Sequence, residues 1–181
     1  MFEGKVIDRR GTIEAKNTVS DNTEVEQIYQ RSIYSTPLYT EFMENKLNII
    51  DTPGQDDFVG GVISGFKVAD AGVMIVNATQ GVEVGTEIFA RYADQYKMPL
   101  IIGVNQLDSE KAGWDTTIDS LKQTFGNKVV PVQFPVAVGP GFDGFVDVLK
   151  QKLYRFKDEN GTREDLEIPA EFADQAEEYR L

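Results

Sequence analysis

Apolar and polar positions along the chain fall into short blocks that predict alternating strands and helices. After a polar, irregular opening (Lys16-Asn17-Thr18-Val19-Ser20-Asp21-Asn22) the segment Glu24 to Arg31 reads as a short helix. Thr36 to Phe42 alternates as a strand does, and Glu44-Asn45 turns it back into Leu47 to Asp51 as a hairpin partner. Val59 to Ala69 is a helix weakened by its glycines. Gly72 to Ala78 and Pro99 to Val104 are near-continuous apolar runs, the pattern of strands buried on both faces. Between them Glu83 to Tyr96 sets Ile88, Phe89, Tyr92 and Ala93 on one helical side, and Trp114 to Phe125 follows as a second amphipathic helix. Strand, helix, strand, helix predicts an α/β parallel sheet covered by helices.

Beyond Asn127 the pattern changes. Val129 to Val138 reads as a strand carrying two prolines, Gly139-Pro140-Gly141 as a turn and Phe145 to Lys150 as a brief helix. Leu153 to Phe156 is a short strand, Asp158-Glu159-Asn160-Gly161 a turn, and Pro169 to Leu181 an acidic helix with its proline in the first turn. This division predicts one domain over 1–128 and the start of a second over 129–181. The chain shows no internal repeat and no low-complexity tract.

Composition narrows the chemistry. At 181 residues the chain is large enough to bury a core without covalent staples. It has no cysteine and no histidine, which excludes disulfides, thiolate nucleophiles and imidazole bases, so that any divalent ion would have oxygen ligands. A net charge of -12 argues against direct contact with DNA through this surface, because neutralising phosphates takes clustered Lys and Arg. No apolar stretch is long enough to span a bilayer and the N-terminus lacks a signal-peptide pattern; a monomeric, cytoplasmic protein is expected.

Two motifs carry candidate chemistry. Leu47 to Asp51 ends in a carboxylate and then turns through Thr52-Pro53-Gly54-Gln55. Such a turn sets an acidic side chain beside a free backbone N–H at a strand end, where open α/β sheets handle phosphates and Mg²⁺. It is also an ordinary strand-to-loop turn. One strand–helix–strand unit later comes Val104-Asn105-Gln106-Leu107-Asp108. Asp108 could accept two N–H bonds from a guanine edge while Asn105 braces the loop; the alternative is an Asx turn capping the next helix. The pair, in this order and on these strands, is more specific than either motif alone. Asp56 and Asp57 are better read as opening the next helix at its positive end than as a metal pair. Trp114, Tyr29, Tyr34 and Tyr39 are read as packing residues.

With these motifs in hand, the chain resembles the GTPase domain of translation elongation factor G, in a divergent elongation-factor-G-like branch. Gly11 to Asp21 resembles the loop leading into the family's first switch, and Ile49 to Phe58 its second switch. Ala78 to Glu87 resembles the segment after the next strand, and Asn105 to Asp108 the guanine-reading Asn-Lys-x-Asp. From Pro131 through Gly144-Phe145-Val146-Asp147 to Ile168-Pro169 the chain is similar to the start of that factor's insert subdomain. The resemblance implies a P-loop GTPase-type fold, with a mostly parallel sheet flanked by helices, truncated at both ends and carrying part of an α+β insert. It implies GTP or GDP with Mg²⁺ as ligands and the ribosome as partner of the intact protein. GTP contacts would come from Asp51, Thr52, Pro53, Gly54, Gln55, Asn105, Gln106, Leu107 and Asp108. Asp51 would hold Mg²⁺ through water and Gln55 would place the attacking water.

The chain also departs from the family. No Gly-x-x-x-x-Gly-Lys-[Ser/Thr] occurs in it. Arg31-Ser32-Ile33-Tyr34 stands where the family has Arg-Gly-Ile-Thr, so Tyr34 takes the place of a Mg²⁺-ligating threonine. Gln55 replaces a histidine and Gln106 a lysine. The chain reads as a fragment of a GTPase domain, with Met1 an internal methionine or an artificial start, with very weak or no GTP binding of its own and marginal stability from unpaired strand edges. The rival readings are a non-catalytic pseudo-GTPase module for ribosome or protein binding, and a ribosomal protection factor.

Overall fold

The structure is a computed structural model that describes residues 1, 4–158 and 161–180. Glu159 and Asn160, the middle of an expected turn, and Leu181 at the end of the expected helical tail lie outside the described residues. The chain divides into two compact units, Met1–Val73 with Val84–Ile101, and Met74–Glu83 with Ile102–Leu181.

In the first unit, α1 (Glu24–Tyr29) starts from Thr23 in a reciprocal capping box with Glu26 and ends at Gln30, whose left-handed backbone (φ 52°) turns the chain away. The hairpin follows as expected, β1 (Thr36–Phe42) against β2 (Asn45–Asp51), antiparallel with Thr36 opposite Asp51. Its two-residue turn is Met43-Glu44, both at positive φ, one residue earlier than the expected Glu44-Asn45, because Asn45 already pairs with Phe42 in the ladder. A 3-10 turn over Asp56–Phe58 leads into α2 (Val59–Phe66), so Asp56 and Asp57 do open that helix. The α2 glycines that weaken the helix have a packing use. A Cβ on Gly61 would stand 2.5 Å from Ser35 Oγ and 3.3 Å from Pro53 Cδ, and one on Gly65 3.3 Å from Thr52 Cγ2. Small residues four apart on one helical face let α2 sit close on the turn after β2. Against α2 packs α3 (Val84–Tyr96), with Phe66 and Tyr96 rings 6.4 Å apart. Tyr29, Tyr34 and Tyr39 correct the packing expectation: they are 62%, 58% and 48% exposed.

The strands β3 (Gly72–Asn77) and β4 (Leu100–Asn105) form a two-stranded sheet. Gly72 N donates to Pro99 O and Ala78 N to Asn105 O, the same offset at both ends, so the pair is parallel. Parallel pairing is confined to β3 and β4 among the described residues; the other ladders are antiparallel. Burial on both faces is corrected. Val76 is buried, but Val73, Ile75 and Ile101 are 68%, 62% and 64% exposed. The apolar run marked strands that could be covered twice; the described residues cover one face.

In the second unit, α4 (Trp114–Phe125) covers that face, with Ile118 and Leu121 packed on Val76 and Ile102. The expected helix Phe145 to Lys150 is instead β6 (Gly144–Asp147), followed by a turn that Asp147 Oδ1 closes by accepting from Lys150 N. Strand alternation, with Val146 fully buried, wins over a helical reading of so short an apolar run. The strand expected over 129–138 shrinks to β5 (Gln133–Pro135), because Pro131 and Pro135 lack the N–H a longer ladder needs. With β7 (Lys152–Phe156) and β8 (Arg163–Leu166), the latter not anticipated by the sequence reading, these make an antiparallel sheet in order β5-β6-β7-β8. Helix α5 (Ala170–Glu178) closes it over a core of Phe134, Val146, Val148, Leu153 and Ala176. Trp114 packs partly buried against this core and against that of α4, as a core residue.

Candidate functional site

The first motif lies at the end of β2. Asp51 is half-buried as the last residue of the strand, Pro53 is buried, and Gly54 and Gln55 are exposed. Gly54 has no positive φ, and a Cβ placed on it would meet nothing within 4 Å. Nothing in the fold therefore demands glycine here, and the residue is exposed. Gly54→Ala is expected to leave the stability of the chain within about 0.5 kcal/mol of wild type. A melting curve shifted by several degrees would contradict this.

Gln55 does not cap the 3-10 turn it precedes. Its Oε1 accepts from Arg31 Nη1 at 3.0 Å. The loop that bears Arg31 is fastened by Glu26. That carboxylate accepts from Thr23 Oγ1 (2.7 Å) and Thr23 N (3.2 Å) at one oxygen, and from Ile33 N and Tyr34 N (both 3.1 Å) at the other. Burial pushes its pKa up, but the bonds from Thr23, Ile33 and Tyr34 outweigh burial and hold it below the ordinary value. Neither Glu26 nor Arg31 was singled out as a site residue by the sequence reading. A Thr-x-x-Glu box at residues 23–26 is the signal that could have found Glu26.

The second motif lies at the end of β4, in the other unit. Its backbone is pinned: Gly139 N donates to Leu107 O at 2.7 Å and Ser109 N to Gln106 O at 3.2 Å. Gln106 has a left-handed backbone (φ 60°), and its Oε1 accepts from Asn77 Nδ2 at 2.9 Å. Asn77 is fixed in turn, its Oδ1 accepting from Thr79 N and Thr79 Oγ1, both at 2.8 Å. Asp108 is exposed, and the helix that follows has Gly113 as N-cap with no side-chain capping bond. The capping alternative for Asp108 thus finds no bond in the structure, and the carboxylate faces solvent on a fixed loop.

Among the described residues no three Asp, Glu, His or Cys side chains converge to cage a metal ion. A lone strand-end carboxylate such as Asp51 suits Mg²⁺, which keeps several waters and takes further ligands from phosphates. Among the same residues no helix is long and apolar enough to cross a membrane.

A parallel strand pair covered on one face by a helix is an α/β arrangement, and open α/β sheets take their ligands at the carboxyl ends of the strands. The model of the elongation factor Tu GTP binding domain matches residues 1–169. An elongation factor G-like protein of Thermotoga maritima is 36% identical over 175 residues, covering 96% of this chain and 25% of that protein. Elongation factor G of Mycoplasma pneumoniae is 33% identical over 183 residues, 99% of this chain and 26% of its own length. A crystal structure of a Thermus thermophilus protein superposes with a TM-score of 0.90 at 28% identity, over 99% of this chain and 26% of that one. The chain belongs to the elongation factor Tu GTP-binding-domain family. It spans about a quarter of the length of the curated relatives it matches.

Proposed function

We propose that this chain forms the guanine-nucleotide domain of an elongation-factor-G-like translational GTPase, whose intact form couples GTP hydrolysis to movement on the ribosome in the cytoplasm. The observation that carries the reading is the state of the two motifs. Their loops are held by backbone and side-chain bonds, while Gly54 is exposed with open space beside its Cα and the exposed Asp108 makes no capping bond to the helix that follows. In this reading Asp108 accepts two N–H bonds from guanine and Asn105 braces the base. Leu107 and Gln106 shape the loop. Thr52 and Pro53 hold the turn from which Gly54 N–H meets the terminal phosphate, and Asp51 holds Mg²⁺ through water. The ion would supply charge neutralisation on the phosphates. Gln55 orients the attacking water, and positioning of this kind supplies much of the catalysis in phosphoryl transfer.

Residues 1–128 would be the nucleotide part and residues 129–181 the start of the insert. The chain by itself carries no phosphate-cradling Gly-Lys loop, and such loops supply much of the affinity for nucleotide. Titration of the chain with a fluorescent GTP analogue is expected to give a dissociation constant of about 1 mM or weaker, less than about 4 kcal/mol of binding. Micromolar binding would show that the two motifs suffice.

A second reading, a non-catalytic module for ribosome or protein binding, is favoured by Tyr34, whose side chain is exposed where a Mg²⁺-ligating threonine is expected. Single-turnover GTP hydrolysis by the full-length protein, with and without ribosomes, separates the two: no turnover in either condition supports the non-catalytic module.

A further inference from the structure

A glutamine that places water must first be placed itself. The Gln55 carboxamide can present oxygen or nitrogen, and the two ends differ in everything that matters to a nucleophilic water. In this chain the choice is made by Arg31, whose guanidinium can only donate. Because Nη1 donates to the side chain at 3.0 Å, Oε1 is the end that faces it and the Nε2 hydrogens are turned away. Arg31 is itself fixed from several sides. Its backbone N–H donates to Glu26 O (3.2 Å) and its Nε to Tyr29 O (3.3 Å). Two residues on, the Ile33 and Tyr34 amides are gripped by the buried Glu26 carboxylate. The guanidinium is thus carried on a rigid base although both Arg31 and Gln55 are exposed.

We propose that Arg31 is the positioning residue for Gln55, a role that rests on the reading of Gln55 as the water-orienting group. By holding one lone pair of Oε1, Arg31 stops rotation of the carboxamide. It leaves the second lone pair to accept a hydrogen from water and the Nε2 hydrogens to donate away from the guanidinium. The positive charge beside Oε1 also polarises the amide and strengthens Nε2 as a donor. The bond ties the loop 31–34 to the turn 51–55, so that the loop and the water-placing side chain are set together. Where a histidine stands in the resembled family, an amide needs this extra constraint because its two ends are so alike in shape.

Two measurements test the assignment. In the chain, selectively ¹⁵N-glutamine-labelled, the Gln55 side-chain amide signals (identified by their loss in Gln55→Ala) are expected to stand away from random-coil positions. Arg31→Met is expected to move them to those positions while the other glutamine signals stay, and Arg31→Lys to restore part of the shift. Gln55 signals unmoved by Arg31→Met overturn the proposal. In the full-length protein with ribosomes, single-turnover GTP hydrolysis at saturating nucleotide is expected to slow by about a hundredfold in Arg31→Met. The Arg31→Met/Gln55→Ala double variant should be no slower than Gln55→Ala, and Arg31→Lys should recover part of the rate. A wild-type rate in Arg31→Met where Gln55→Ala is slow, or losses that multiply in the double variant, overturn the positioning role. A wild-type rate in Gln55→Ala instead overturns the reading of Gln55 itself, which is a different failure.

Discussion

Phe134→Ala is expected to destabilise the second unit by about 4 kcal/mol. Phe134 is 1% exposed on β5, a strand of only three residues. Its ring meets Tyr179 edge-on at 5.6 Å and Phe172 at 6.3 Å, both contributed by α5 and the residue that follows it. Removing the ring therefore leaves a cavity and unseats the helix that covers the sheet. Burial of an aromatic side chain dominates such cores, and edge-on ring pairs add to it. Urea denaturation followed by far-ultraviolet circular dichroism checks the figure. A loss under about 1 kcal/mol would mean that the sheet and α5 do not share one core. Phe134→Leu, which keeps most of the volume, should recover more than half of the loss.

How much of this was legible in the sequence depended on how each segment is stabilised. Helices α3 and α4 followed from helical periodicity, each being long enough for its apolar stripe to repeat, the hairpin from alternation on either side of a turn, and β3 and β4 from continuous apolar runs. Residues 129–166 were harder. Strands of three to five residues give period and propensity too few positions to act on, and Phe145-Val146 reads equally well in a helix until its cross-strand partners Tyr154 and Leu153 are known. The exposed face of β3 and β4 failed for another reason. A run such as Val73 to Val76 reports what the strand could bury, and Val73 and Ile75 stay open because burial depends on what packs there.

At the candidate site the residues with intrinsic chemistry, Asp51, Gly54, Gln55, Asn105 and Asp108, were visible as motifs. The residues that hold them were not. Asn77 reaches Gln106 across 29 positions of sequence and Arg31 reaches Gln55 across 24. No local spacing announces such contacts. The glycines at 61 and 65 looked like defects of a helix and are instead what lets it lie against Thr52 and Pro53.

Glu26 carries the second large effect, and it is a test of how the 31–34 loop is held. Glu26→Ala leaves the amides of Thr23, Ile33 and Tyr34 without their acceptor in a place where the residue was 1% exposed. At about 1 kcal/mol or more for each stranded donor, the loss is expected to reach roughly 3 kcal/mol. Glu26→Gln should lose less, since one oxygen can still serve Ile33 and Tyr34 while the new NH₂ faces the Thr23 amide as donor against donor. The readout is hydrogen exchange at Ile33 and Tyr34, whose protection should fall in Glu26→Ala while β1 and β2 keep theirs. Acid should reproduce the effect in the wild-type chain. The folded-state pKa of Glu26 lies below its ordinary value of 4.5, so the stability it contributes is complete above that value and is lost as pH falls through the folded pKa. Protection at Ile33 and Tyr34 that is flat from neutral pH to well below 4.5, or unchanged by Glu26→Ala, would mean that the loop is held by something other than this carboxylate.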